Sequence, residues 1–143
     1  MAQALDDLLD SLEDADDATR EEAAKALAEL ANPATLDALI GACGDEFWSV
    51  RTRAGWGVAK IGGPKAIEAL IALFNDPIME VRNEAVAAVV SLGAGQLDRL
   101  LAAMKDERWR VREHAAKACG DLHDSRAVDA LIFACRDRDG AVK

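Results

Sequence analysis

Apolar residues recur along this chain in a helical rhythm that is itself repeated. Leu5, Leu8, Leu9 and Leu12 are spaced i, i+3, i+4, i+7, which puts all four on one face of an α-helix. The same quartet returns at Leu36, Leu39, Ile40, Cys43, then at Ile67, Leu70, Ile71, Phe74. It returns again at Leu97, Leu100, Leu101, Met104 and at Val128, Leu131, Ile132, Cys135; the offsets are 31, 31, 30 and 31 residues. A second quartet keeps step: Val50, Ala54, Val58, Ile61, then Val81, Ala85, Val89, Leu92, then Val111, Ala115, Cys119, Leu122. Its N-terminal version is weaker, at Thr19, Ala23, Leu27 and Leu30. Each period therefore holds two amphipathic helices, and neither can bury its stripe alone. Such units must stack, so an all-α solenoid of about four and a half hairpins of 30–31 residues is expected. The units fall at about 1–31, 32–62, 63–93, 94–123 and 124–143, the last incomplete, and form a single domain.

The polar punctuation agrees. Asn32-Pro33 and Gly63-Pro64 place a cap and an N1 proline ahead of two first helices. Asp76-Pro77 does the same for a second helix, with Asp45 and Asp106 at the matching cap position, and Gly93 follows a second helix as a left-handed C′ residue would. No stretch has the period-2 alternation of a strand.

The recurring phrases DEFWSVRTRA, DPIMEVRNEA and DERWRVREHA, with the first-helix phrase SRAVDALI, resemble the short HEAT-like repeats of the phycobilisome-lyase family. The resemblance covers nearly the whole chain and departs most in the first unit, where Thr19-Arg20 replaces Val-Arg. It implies a right-handed α-α superhelix whose second helices line the concave side. It also implies a ladder in which the arginine of one repeat (Arg51, Arg82, Arg112) meets the aspartate of a neighbour (Asp45, Asp76, Asp106). The family includes bilin lyases, scaffolds and deoxyhypusine hydroxylase, whose iron rests on His-Glu pairs just after Val-Arg. The matching positions here are Glu21-Glu22, Thr52-Arg53, Asn83-Glu84 and Glu113-His114; none reads His-Glu, and one imidazole cannot assemble such a site.

Charge changes the picture at one end. The net charge is −9, yet residues 1–22 carry nine acids against Arg20 alone, or −8, leaving −1 for the rest. The first unit is read as a polar cap on the array, or as an acidic contact surface for a basic partner. Duplex DNA is disfavoured there, because binding it depends on clustered Lys and Arg. The Arg108, Arg110, Arg112 group near Trp109 is interrupted by Asp106, Glu107 and Glu113, so nucleic acid is not the expected ligand elsewhere either.

Candidate chemistry is sparse. The three cysteines take core slots that Phe74, Met104, Val58 and Val89 fill in other units, and no CxxC spacing occurs, so no metal or cofactor is expected. No phosphate loop or nucleophile–histidine arrangement stands out. With no long apolar run and no leader-like start, the chain reads as a cytoplasmic protein that does not enter membranes. The fifth unit stops before its second helix, which suggests a truncated or open-ended array able to pair with another copy through that repeat.

What remains is the off-core face of the second helices: Arg53, Trp56 and Lys60, then Asn83, Glu84 and Ala87, then Glu113, His114 and Lys117. Trp56 stands out, since its slot holds Lys25, Ala87 and Lys117 elsewhere; it reads as a contact residue or as a local gap-filler beside Gly55 and Gly57, whereas Trp48 and Trp109 are expected to serve packing. The reading is a non-catalytic scaffold gripping another protein in the concave groove around Trp56. The alternative is a lyase-like or chaperone-like subunit handling a bilin on a client protein.

Overall fold

The computed structural model describes residues 2–123 together with Val128, Leu131 and Ile132. Cys135 and most of the last repeat lie outside the described residues. The fold is an all-α solenoid of short helices arranged as hairpin-like repeats. The chain divides into two compact units, Met1–Ala69 and Leu70–Lys143.

The first unit holds α1 (Ala2–Ser11), α2 (Asp17–Leu30), α3 (Leu36–Ala42) and α4 (Trp48–Ile61). The boundary between the units falls within α5 (Pro64–Ala72), and the second unit continues with α6 (Met79–Ser91), α7 (Leu97–Ala103) and α8 (Trp109–Leu122). Short 3-10 turns occupy Pro33–Thr35, Leu73–Asn75 and Ala94–Gln96. They add the tight turns that bring each first helix back toward its partner.

The centres of both expected stripes are buried from α2 onward. In the first unit Leu27, Leu39, Val50 and Val58 are fully enclosed, and in the second Leu70, Phe74, Val81, Val89, Leu97, Leu100 and Val111 are. Each large side chain among them contributes about 1.5–3 kcal/mol by leaving water. A further buried slot, not read from the quartets, holds Gly57, Ala88 and Ala118. Gly57 shows why small residues are needed there. A Cβ on it would lie 3.0 Å from Leu39 Cδ1 and 3.3 Å from the Ala28 backbone, because α2 and α4 pack almost in contact.

Each second helix ends on a positive-φ residue at one repeat slot: Ala31 (φ 48°), Gly62 (φ 79°), Gly93 (φ 83°) and His123 (φ 54°). Ala31 and His123 take the left-handed helical conformation (ψ 38° and 33°), whereas Gly62 and Gly93 (ψ −169° and −173°) lie where only glycine goes without strain. The caps ahead of the second helices differ from expectation. Asp45, Asp76 and Asp106 stand two residues before the N-cap residues Phe47, Ile78 and Arg108, and their Oδ1 atoms accept from those residues' N–H at 2.8, 2.9 and 2.8 Å. Pro77 therefore precedes α6 rather than opening it. An Asx turn shapes the entry, and the helix begins after it.

Candidate functional site

One device is built four times among the described residues. Arg20 donates through Nη1 to the Asp14 carbonyl at 2.7 Å, as Arg51 does to Asp45, Arg82 to Asp76 and Arg112 to Asp106, at 2.8, 2.6 and 2.8 Å. In every case the arginine lies six residues after the aspartate and ties down the turn that the Asx bond has shaped. Asp14 belongs to this set, since its Oδ1 takes the Asp16 N–H at 2.8 Å. The 31-residue offset from Asp45 would have found it.

The remaining guanidinium donors reach different partners in the two units. Arg20, 7% exposed, sends Nε to Asp45 Oδ2 at 2.9 Å, a bond from one repeat to the next, and Nη2 to Asp17. That charge-assisted bond with Asp45 holds the Arg20 pKa above its ordinary value. In the second unit Asp106 instead receives Arg108, at 3.0 Å from Nε and 3.1 Å from Nη2, which pulls the Asp106 pKa down. Arg82 Nε is left buried with no hydrogen-bond partner.

The candidate contact residues separate into two sets. On α4, Arg53 and Lys60 are exposed, and Trp56 is half-buried between the buried Gly55 and Gly57. Arg53 Nε lies 3.6 Å from Glu21 Oε1 on α2. In the second unit Asn83, Glu84 and Ala87 of α6 are exposed, as is Lys117 of α8, whose Nζ donates to Asn83 Oδ1 at 3.2 Å. Glu113 is half-exposed. Both contacts join neighbouring second helices across one repeat.

His114 is set apart from these side chains. It is 7% exposed, and its ring lies 6.3 Å from that of Phe74. Nδ1 is 2.8 Å from the Arg110 carbonyl, the geometry of an N–H donated one turn back. A short imidazole can satisfy its polar edge locally and turn its carbons inward, which the Glu22, Arg53 and Glu84 side chains at the same slot cannot do. Burial holds its pKa below the usual histidine value. Trp48 and Trp109 correct the expectation in the opposite sense. They stay 46% and 44% exposed, Trp48 beside Phe47 and Trp109 beneath the Arg110 guanidinium at 5.2 Å, so their packing is partial.

Cys43 and Cys119 are buried in their core slots, and burial pushes their thiols up to about 12 and about 11. Such thiols are poor nucleophiles and poor ligands at neutral pH. Among the described residues no three His, Cys, Asp or Glu side chains come together as a metal site would require. No single helix among them is long and apolar enough to cross a membrane.

The HEAT-repeat profile matches residues 5–90 and again 80–143. The chain belongs to the HEAT-repeat family. No curated protein matches it. Among solved structures, this HEAT-repeat chain is similar to the complex of CpcE and CpcF of phycocyanin lyase from Nostoc sp. PCC7120. The identity is 22% and the TM-score 0.63, over 97% of this chain and 60% of that one. It is also similar to a designed armadillo repeat protein in complex with the peptide (KR)4, at 22% identity and a TM-score of 0.55, over 99% of this chain and 78% of that one. Armadillo repeats computationally designed for modular peptide recognition give 22% and 0.53 over the same shares. These similarities establish the fold, which is compatible with binding another protein through its repeat surface.

Proposed function

We propose that this HEAT-repeat chain is a non-catalytic scaffold that holds a partner protein on the exposed faces of its second helices, in the groove those helices line. In the first unit those faces carry Arg53, Trp56 and Lys60; in the second they carry Asn83, Glu84, Ala87, Glu113 and Lys117. The observation that carries this reading is the contrast between slots. Most buried positions hold small or aliphatic residues, while the exposed row differs in kind from repeat to repeat. Packing constrains the first set more tightly than the second. The Lys117–Asn83 hydrogen bond is exposed and the Arg53–Glu21 pair is partly so, and a partner can displace both at little cost. Designed armadillo repeats of similar fold are made for peptide recognition, which supports a peptide or protein as the occupant.

Trp56 is the anchor of the proposal, because tryptophan and arginine dominate binding hot spots and Arg53 lies one turn away. Affinity capture with the wild-type chain should retain a stoichiometric protein that Trp56→Ala loses and Trp48→Ala keeps. Once that protein is purified, Trp56→Ala should weaken binding by about 2 kcal/mol, roughly thirtyfold, with little change in melting midpoint. A collapse of the midpoint would make Trp56 core and remove the anchor. The bilin-handling alternative draws on the fold shared with phycocyanin lyase; a new visible absorbance band on mixing with free bilin would move the assignment there.

A further inference from the structure

We infer that the cleft between α1 and α3 takes a lysine or arginine side chain from a basic amphipathic segment of another protein. The cleft has a volume of about 560 Å³, within the range of clefts that hold ligands. Part of its wall is apolar: Leu9 comes from α1, Leu12 from the turn just after it, and Ala38 and Ala42 from α3. The carboxylates of Asp10 and Glu13 stand at the rim, both exposed. Neither has an ion-pair partner among the described residues. Asp45 also lines the cleft, but its charge is met by Arg20.

Gly41 keeps the cleft open. It lies in the lining, and a Cβ added to it would meet nothing within 4 Å. Its repeat equivalents are Asp10, Ala72 and Ala102, so glycine here is not a requirement of the repeat.

The occupant follows from these walls and this rim. A long aliphatic stem ending in a cation covers apolar surface and delivers its charge to carboxylates, and only lysine and arginine combine the two. The cation must come from outside. Residues 1–22 total −8, and their one base, Arg20, is committed to Asp17 and Asp45. Apolar residues flanking that cation would lie along Leu9 and Leu12, both of which are half-exposed.

None of Arg53, Trp56 and Lys60 lines this cleft, so the inference stands apart from the scaffold reading. The probe is a fluorescently labelled amphipathic peptide of lysine, arginine and leucine, followed by anisotropy. Gly41→Leu fills the cleft and the pair Asp10→Asn with Glu13→Gln neutralises its rim. Each should weaken peptide binding by about tenfold or more, with helicity retained, while Trp56→Ala leaves it unchanged. Wild-type affinity in Gly41→Leu, with or without a raised melting midpoint, would make the cleft a packing gap and overturn the inference. An equal loss on neutralising Asp6 and Asp7, which lie outside the cleft, would reduce the binding to general charge attraction and overturn it too. Should Gly41→Leu lose helicity, the comparison of the rim pair with the Asp6 and Asp7 pair decides alone, since all four residues are exposed.

Discussion

The arginine-and-aspartate turn is the same in both units, yet the salt bridge built on it is not. In the first unit Arg20 reaches across to Asp45 and is nearly enclosed, with Asp17 closing its other side. In the second unit Asp106 is captured by Arg108 from its own turn, and Arg82 keeps a buried Nε without an acceptor. A repeat can therefore preserve its backbone device while changing what ties one copy to the next. A single exchange decides it: Arg108 occupies the slot of Phe47 and Ile78, and puts a guanidinium within reach of the aspartate two residues earlier. The units also differ in how fully their first helices are covered. In α1 every described side chain of the leucine stripe is only half-buried, whereas Leu97 and Leu100 of α7 are enclosed.

The largest effect should test that difference in cover. Phe74→Ala opens a cavity in the fully buried centre of the second unit and should cost about 3–5 kcal/mol in urea unfolding. Leu8→Ala on α1 should cost about 1 kcal/mol, because only part of its surface leaves water. Equal losses would mean that α1 is as firmly packed as the rest.

Next comes the bridge. Asp45→Asn removes the carboxylate that meets the enclosed Arg20, whereas Asp106→Asn releases a half-exposed Arg108 to water. The urea midpoint should fall clearly for Asp45→Asn and shift only slightly for Asp106→Asn. A reversed order would show that the second unit depends on Asp106 through something other than Arg108.

Gly57→Ala sets two terms against each other. Alanine favours a helix over glycine by about 1 kcal/mol, while overpacking against Leu39 and the Ala28 backbone costs about 1–3 kcal/mol. A backbone cannot yield as a side-chain tip can, so a net loss near 1 kcal/mol is expected by thermal melting. Ala118→Gly at the equivalent slot of α8 should lose about as much through propensity alone.

The smallest effect is on pH dependence. His114 is buried as the neutral imidazole, so its folded pKa lies below the unfolded value of about 6.5. Stability from this group is present above that value and is lost as pH falls through the folded pKa, when the unfolded state takes up the proton first. Glu113, Lys117 and Arg82 face the ring, and the glutamate opposes the shift that burial and the two cations produce. Comparing unfolding at pH 7.5 and pH 5, His114→Asn should show a shallower loss than the wild type. An unchanged slope would place the titrating groups elsewhere.

The repeat, its helical faces and its core slots were legible in the amino-acid order alone, because a stripe that must be buried writes its period into the chain. The positive-φ residue after each second helix was legible at Gly93 and hidden at Ala31 and His123, where the side chain gives no sign of the backbone it adopts. Which charged groups meet, by contrast, depended on side-chain reach across space. Nothing in the order of residues said that Asp106 would turn to Arg108, that His114 would fold inward on Phe74, or that α1 and α3 would leave a cleft between them. Periodicity is a local property and survives in one dimension; pairing, enclosure and empty volume exist only once separate helices have been brought together.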